Sequence, residues 1–137
     1  MPFCGKRAQL LSSQEWRHDA HQILYAAYGW LLFSGVVHFT IDVLSQYLRG
    51  KRSPSPETTL YYGLNSAYAL GQVLVALLAL LMVRSGTPAI AVWPGFTIGF
   101  TGAALWLVIC LRSVEYPQPR FIIVFFAGLL TGAALAH

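Results

Sequence analysis

Charge is what this chain has least of. Only 10% of its 137 residues are Asp, Glu, Lys or Arg, against about 25% in an average soluble domain. That is too little to cover a water-facing surface, so composition argues against a soluble all-α protein. Cysteine is nearly missing too. Cys4 and Cys110 are the two present, and neither belongs to a CxxC or Cys/His spacing. A disulfide framework and a structural metal site are therefore not expected, and nothing else calls for a metal or cofactor. No serine has a placed base and oxyanion donors, so no nucleophilic triad is expected. The opening MPFCGKRAQLLSSQEWRHDAHQ lacks a 7–15-residue apolar core followed by a cleavage site, and it reads as a polar lead-in rather than a cleaved leader.

What is there is apolar residue, at 56% of the chain, and it comes in runs. Four can be marked, at about 23–48, 59–83, 89–111 and 121–136. Crossing the hydrocarbon core takes about 20 residues of helix. The first three runs reach that length. The fourth, FIIVFFAGLLTGAALA, is short but wholly uncharged, and it could cross where the bilayer thins or the chain ends at the interface. The expected fold is an all-α integral membrane protein, residues 1–137 forming one domain of four transmembrane helices in an antiparallel bundle. A short N-terminal amphipathic segment would lead into it, with Ser12 and Glu15 at capping-box spacing.

The connectors carry the punctuation. Ser55-Pro56-Glu57 supplies an N-cap, a proline at the first helical position and an early acid for the second span. Arg84-Ser85-Gly86-Thr87-Pro88 stops that span and restarts the chain. Pro117 and Pro119 break the chain before the fourth span. Pro94, inside the nominal third run, either kinks that helix or marks its true start.

The net charge of +4 sits in these connectors, as is usual beside membrane spans. No basic stripe interleaves with aromatics, so nucleic acid is not an expected partner. Lys6, Arg7, Arg17 and Arg84 fall on the face that holds the termini, and Arg49, Lys51, Arg52, Arg112 and Arg120 on the other. Four against five assigns no side to the termini, which share one face. An Arg-rich, Lys-poor basic set, seven to two, hints at a bacterial source. The expected location is a bacterial cytoplasmic (inner) membrane.

Polar residues inside the runs are few and patterned. His38 and Asp42 are four apart and share a helix face with Ser34, Gly35 and Ser45. A lipid-facing charge costs about 2.5–3.5 kcal/mol on insertion scales, so this stripe should turn inward. In the second span Tyr61, Asn65, Tyr68 and Gln72 lie at offsets 0, 4, 7 and 11, again one face. Counted back from the loop at 1.5 Å per residue, Asp42 and Asn65 sit on the order of 10 Å from the midplane, with His38 and Tyr68 deeper. Asp42 is thus expected to meet Asn65 or Tyr61, and His38 to meet Tyr68 or Gln72. Two roles suit such a constellation: a polar clasp between helices, or a proton- or substrate-handling site.

Small residues form a second pattern. Gly63, Ala67 and Gly71 line one side of the second span, and Gly95/Gly99 and Gly128/Gly132 have the Gly-x-x-x-Gly spacing that lets helices approach closely. TGAAL occurs twice, at 101–105 and 131–135, an echo that chance explains in so Ala/Gly/Leu-rich a chain. With three such faces, and almost no mass outside the spans, the expected function is a non-enzymatic accessory or interaction subunit that binds a membrane partner, either another protein or itself. The alternatives are a small oligomeric proton-coupled transporter using His38 and Asp42, and a lipid-acting membrane enzyme using the same pair as acid and base.

Overall fold

The computed structural model describes residues 3–85, 93–113 and 117–136, with backbone alone for residues 3–18 and 113. The described residues are helical with short connectors: α1 (Phe3–His38), a π-helical turn (Phe39–Leu44), α2 (Ser45–Leu48), α3 (Pro56–Arg84), α4 (Trp93–Ser113) and α5 (Gln118–Leu135). Four stretches are long and apolar enough to cross a membrane: Asp19–Leu48, Pro56–Arg84, Trp93–Arg112 and Gln118–Leu135. Each overlaps one of the four runs marked in the sequence.

The first helix differs from expectation at its start. No separate segment opens at Ser12, because α1 runs unbroken from Phe3. Between Lys6 and the first span stand Ala, Gln, Leu, Glu and Arg, with no glycine or proline from residue 6 to residue 28. Good helix formers with no breaker keep the helix going. The described α4 begins at Trp93, which puts Pro94 in a first turn, where its missing N–H costs nothing. The restart residues Thr87 and Pro88, the stretch 89–92 and His137 lie outside the described residues.

The turn from α2 to α3 is built by local chemistry. The Gly50 N–H donates to the Tyr47 carbonyl (3.1 Å) and the Lys51 N–H to that of Gln46 (3.2 Å). This is the paired closure of a Schellman motif. It requires a left-handed residue after the C-cap, and Gly50 has φ +57°. Five residues on, the Ser55 hydroxyl oxygen accepts the Thr58 N–H at 3.1 Å, capping α3 where the sequence placed a cap. Pro117 stands at the N-cap of α5 and Pro119 in its first turn, so both prolines begin the helix and neither interrupts it.

The chain groups into two compact units. The first holds Met1–Ala27 with Leu81–His137. Its core is Ala20, Leu24 and Ala27 from α1, Val83 from α3, Phe96, Ala103 and Cys110 from α4, and Ile123, Phe126, Leu130 and Ala133 from α5. The α4 positions recur every seven residues and the α5 positions every three or four, so each helix turns one stripe inward. Both TGAAL copies behave alike: Ala103 and Ala133 are buried, while Leu105 and Leu135 are exposed. A Cβ built on Gly132 would touch Ile23 of α1 at 3.9 Å, an ordinary contact.

The second unit is Tyr28–Leu80, a helical hairpin. Tyr28, Leu31, Ser34 and Gly35 of α1 are buried, as are Ala69, Gln72, Ala76 and Ala79 of α3. The two helices approach closely at Gly35, where an added Cβ would lie 3.0 Å from Val73 Cγ2, 3.1 Å from Gln72 Cβ and 3.3 Å from the Ala69 carbonyl oxygen.

Candidate functional site

His38 is the last residue of α1, and the helix changes its winding immediately after it. From Phe39 to Leu44 the backbone is π-helical, and the Ser45 N–H reaches back five residues to the Thr40 carbonyl. The local sequence favours this. Val36, Val37, Thr40, Ile41 and Val43 are β-branched and crowd the preceding turn of a regular helix. The Thr40 hydroxyl donates to the Val36 carbonyl at 2.8 Å and the Ser45 hydroxyl to that of Ile41 at 3.0 Å. Such back-bonding competes with the ladder and loosens it.

The extra residue changes which side chains face in. The buried stripe of α1 continues through Ser34 and Gly35 and resumes at Val43, which is 8% exposed, while the Asp42 side chain is 40% exposed. Regular α-helical counting would have kept position 42 on the inner stripe. Asp42 instead sits at the edge of it and turns back along its own helix. His38 Nδ1 and Asp42 Oδ2 are 2.8 Å apart, and the His38 side chain is 17% exposed. Since an ionised carboxylate only accepts, Nδ1–H is the donor. The other ring nitrogen, Nε2, is buried and has no hydrogen-bond partner among the described residues.

Across the hairpin, the α3 stripe supplies an aromatic neighbour. The Tyr68 and His38 rings meet edge to face, with centroids 5.4 Å apart and planes at 74°. The other α3 residues have separate engagements. Asn65 Nδ2 donates to the Tyr61 carbonyl of its own helix at 2.9 Å. The Tyr61 ring lies under the Arg52 guanidinium, 3.6 Å from Cζ to the ring centroid, a cation–π pair at the loop end of the hairpin. Tyr62 joins it, edge to face with both Tyr61 and Tyr47. Gln72 is buried one turn deeper, against Gly35. Polar residues of the hairpin therefore descend from the loop as Arg52–Tyr61, Asn65, His38–Tyr68 and Gln72. The polar partner of Asp42 among the described residues is His38.

The small-residue positions divide by environment. Gly63, Ala67 and Gly128 are exposed and Gly71 is partly so, and among the described residues a Cβ built on Gly63, Gly71 or Gly128 meets nothing within 4 Å. Gly95 and Gly99 are partly exposed on α4. Among the glycines whose surroundings are described, Gly35 has the tightest neighbours. Its trace in the sequence was the Ser34-Gly35 pair, two small residues on an inward stripe.

Among the described residues no three His, Cys, Asp or Glu side chains gather into a metal-holding group. Cys110 is buried and forms no disulfide among the described residues. What the arrangement can do chemically is hold a proton: a carboxylate orients an imidazole whose second nitrogen is unspent. Compared with protein-family models, characterised proteins and solved structures, the chain matches none.

Proposed function

We propose that this chain is an integral membrane protein of a bacterial cytoplasmic membrane. Its four helices cross as an antiparallel bundle, and it serves as a non-enzymatic accessory subunit that docks a helix of another membrane protein. Support for the membrane comes from the outer surface, which is apolar along all four stretches; Leu48, Leu81, Trp93, Ile98, Phe121 and Leu135 are all well exposed. Water would make such a surface an aggregation hazard, whereas lipid tails solvate it. The protein should remain in the membrane pellet through an alkaline carbonate wash. Recovery in the supernatant without detergent would overturn the architecture.

The observation that carries the docking role is the open strip on α3. In a bilayer, helices associate by close packing rather than by hydrophobic burial. At Gly35 the chain uses a glycine for that purpose internally. Gly63 and Gly71 offer small residues on α3 where a built Cβ meets nothing within 4 Å among the described residues. Gly71→Leu should leave melting and expression unchanged but reduce recovery of the partner from native membranes at least about tenfold, the equivalent of about 1.4 kcal/mol. Undiminished recovery would remove this face from the interaction.

A small proton-coupled oligomer is the second reading, favoured by the unspent Nε2 of His38. The same pull-down separates the two, since a carrier of this size should return further copies of itself and no stoichiometric second protein.

A further inference from the structure

We infer that His38 is a proton-exchange site, with Nε2 as the atom that takes up and releases the proton and Asp42 as the positioning residue. The inference deepens the carrier reading, and it stands or falls separately from transport: exchange at His38 survives a finding of no flux.

Three observations meet at this residue. Asp42 holds Nδ1–H at 2.8 Å, which fixes the tautomer and leaves Nε2 with its lone pair. Nε2 is buried with no hydrogen-bond partner among the described residues, and leaving a buried polar atom so is costly. A group serving only to clasp helices would spend that nitrogen on the facing helix. Here Tyr68, the residue that faces His38 from α3, meets it ring to ring, edge to face, and Asn65 one turn nearer the loop donates to its own backbone. Finally, the pair spans the start of a π-helical turn, and such turns are frequent at functional sites. The turn moves the carboxylate to the edge of the inner stripe, towards the loop end, while the imidazole stays inside. Asp42 is thereby the more exposed member and His38 the more buried one.

The step is a simple protonation. A hydronium ion or other water-borne acid gives up an O–H bond, an N–H bond forms at Nε2, and the imidazolium is balanced by the adjacent carboxylate. Release reverses each change, and no electrons are transferred. The titratable groups facing the imidazole are Asp42 from its own helix and the Tyr68 phenol from α3. No charged residue occurs on α3 between Glu57 and Arg84. The charge that answers a proton on His38 in this hairpin is therefore the carboxylate of Asp42.

The test is nitrogen NMR of the full chain, labelled at histidine and held in nanodiscs of phosphatidylethanolamine and phosphatidylglycerol, with His38→Gln used to assign the signal. Above the titration, Nδ1 should be protonated and Nε2 bare. Acidification through about pH 8 to 5, where imidazole titrates, should protonate Nε2 reversibly. Asp42→Asn, whose amide can donate or accept, should release the fixed tautomer into a mixture. An Nε2–H tautomer in the unaltered protein, or an Nε2 signal constant across that range, overturns the proposal and leaves a packing clasp. If His38→Gln does not fold, His38→Asn provides the assignment, and the decisive signals are still those of the unaltered chain. Dye-reported proton flux in liposomes is the separate test of the carrier reading.

Discussion

A leucine at position 35 should pull the α1–α3 hairpin apart. Even a single methyl there would meet Val73, Gln72 and the Ala69 backbone at 3.0–3.3 Å. Side chains at the first two contacts could yield by a few tenths of an ångström, but the carbonyl oxygen moves only with its helix. Gly35→Ala should therefore be mildly destabilising. Gly35→Leu has no room to place its branch, and overpacking of this kind costs typically about 1–3 kcal/mol and more where backbone is displaced. The expected result is a loss of at least about 3 kcal/mol, seen as a large drop in the aggregation midpoint in detergent. Gly71→Leu, on the open side of α3, is the control that should melt normally. Equal midpoints for the two leucine variants would mean that the hairpin is not packed at Gly35.

Phe125 and Phe126 provide the second large contrast, because they are neighbours with opposite surroundings. Phe126 is 2% exposed and Phe125 52% exposed. Truncating a buried phenylalanine in a soluble core costs about 3–5 kcal/mol, partly through transfer from water and partly through the cavity left behind. If the helices lie in lipid, the transfer part largely vanishes, since lipid tails are as apolar as the packed site. Phe126→Ala should then cost about 2 kcal/mol, the packing part, and Phe125→Ala close to nothing. Melting in one detergent at matched protein concentration measures both. A larger loss from Phe125→Ala would show that α5 presents its other face inward.

The long helices were legible because their signal is redundant. A run such as LVALLALLMV repeats one message at every position, so no single misjudged residue hides it. The cap of α3 was legible for a different reason: Ser55 acts through local backbone chemistry that needs no tertiary partner. Ends without punctuation were harder. The start of α1 at Phe3 rather than Ser12 is invisible to a reading that seeks a cap, because helix formers simply continue.

The site was legible by residue and not by geometry. His38, Asp42 and Tyr68 stood out as ionisable or polar groups in apolar runs, and pairing by depth brought His38 to Tyr68. The expected meeting of Asp42 with Asn65 or Tyr61 assumed 100° per residue throughout, and that spacing stops holding at Phe39. One extra residue in a turn is a tertiary outcome of many weak preferences, such as β-branching and hydroxyl back-bonding, none of which names its own position. Gly35 was masked by its company. It was read as part of a polar stripe, while glycines spaced by four on α3 announced themselves more loudly and have open space beside them.

The π-helical turn also divides the first long apolar stretch, Asp19–Leu48, into two segments of independent phase. Above it, the inward positions of α1 follow one rotational setting; below it, Val43 resumes at another. A substitution that tightens the turn back to regular winding would leave α1 in place and rotate α2 with the whole loop to Ser55 about the helix axis. The Arg52–Tyr61 contact and the Tyr47–Tyr62 contact, both made by residues beyond the turn, resist that rotation. The aromatic cluster at the loop end thus anchors the far side of a turn six residues long, and the winding after His38 is held from a point that His38 does not touch.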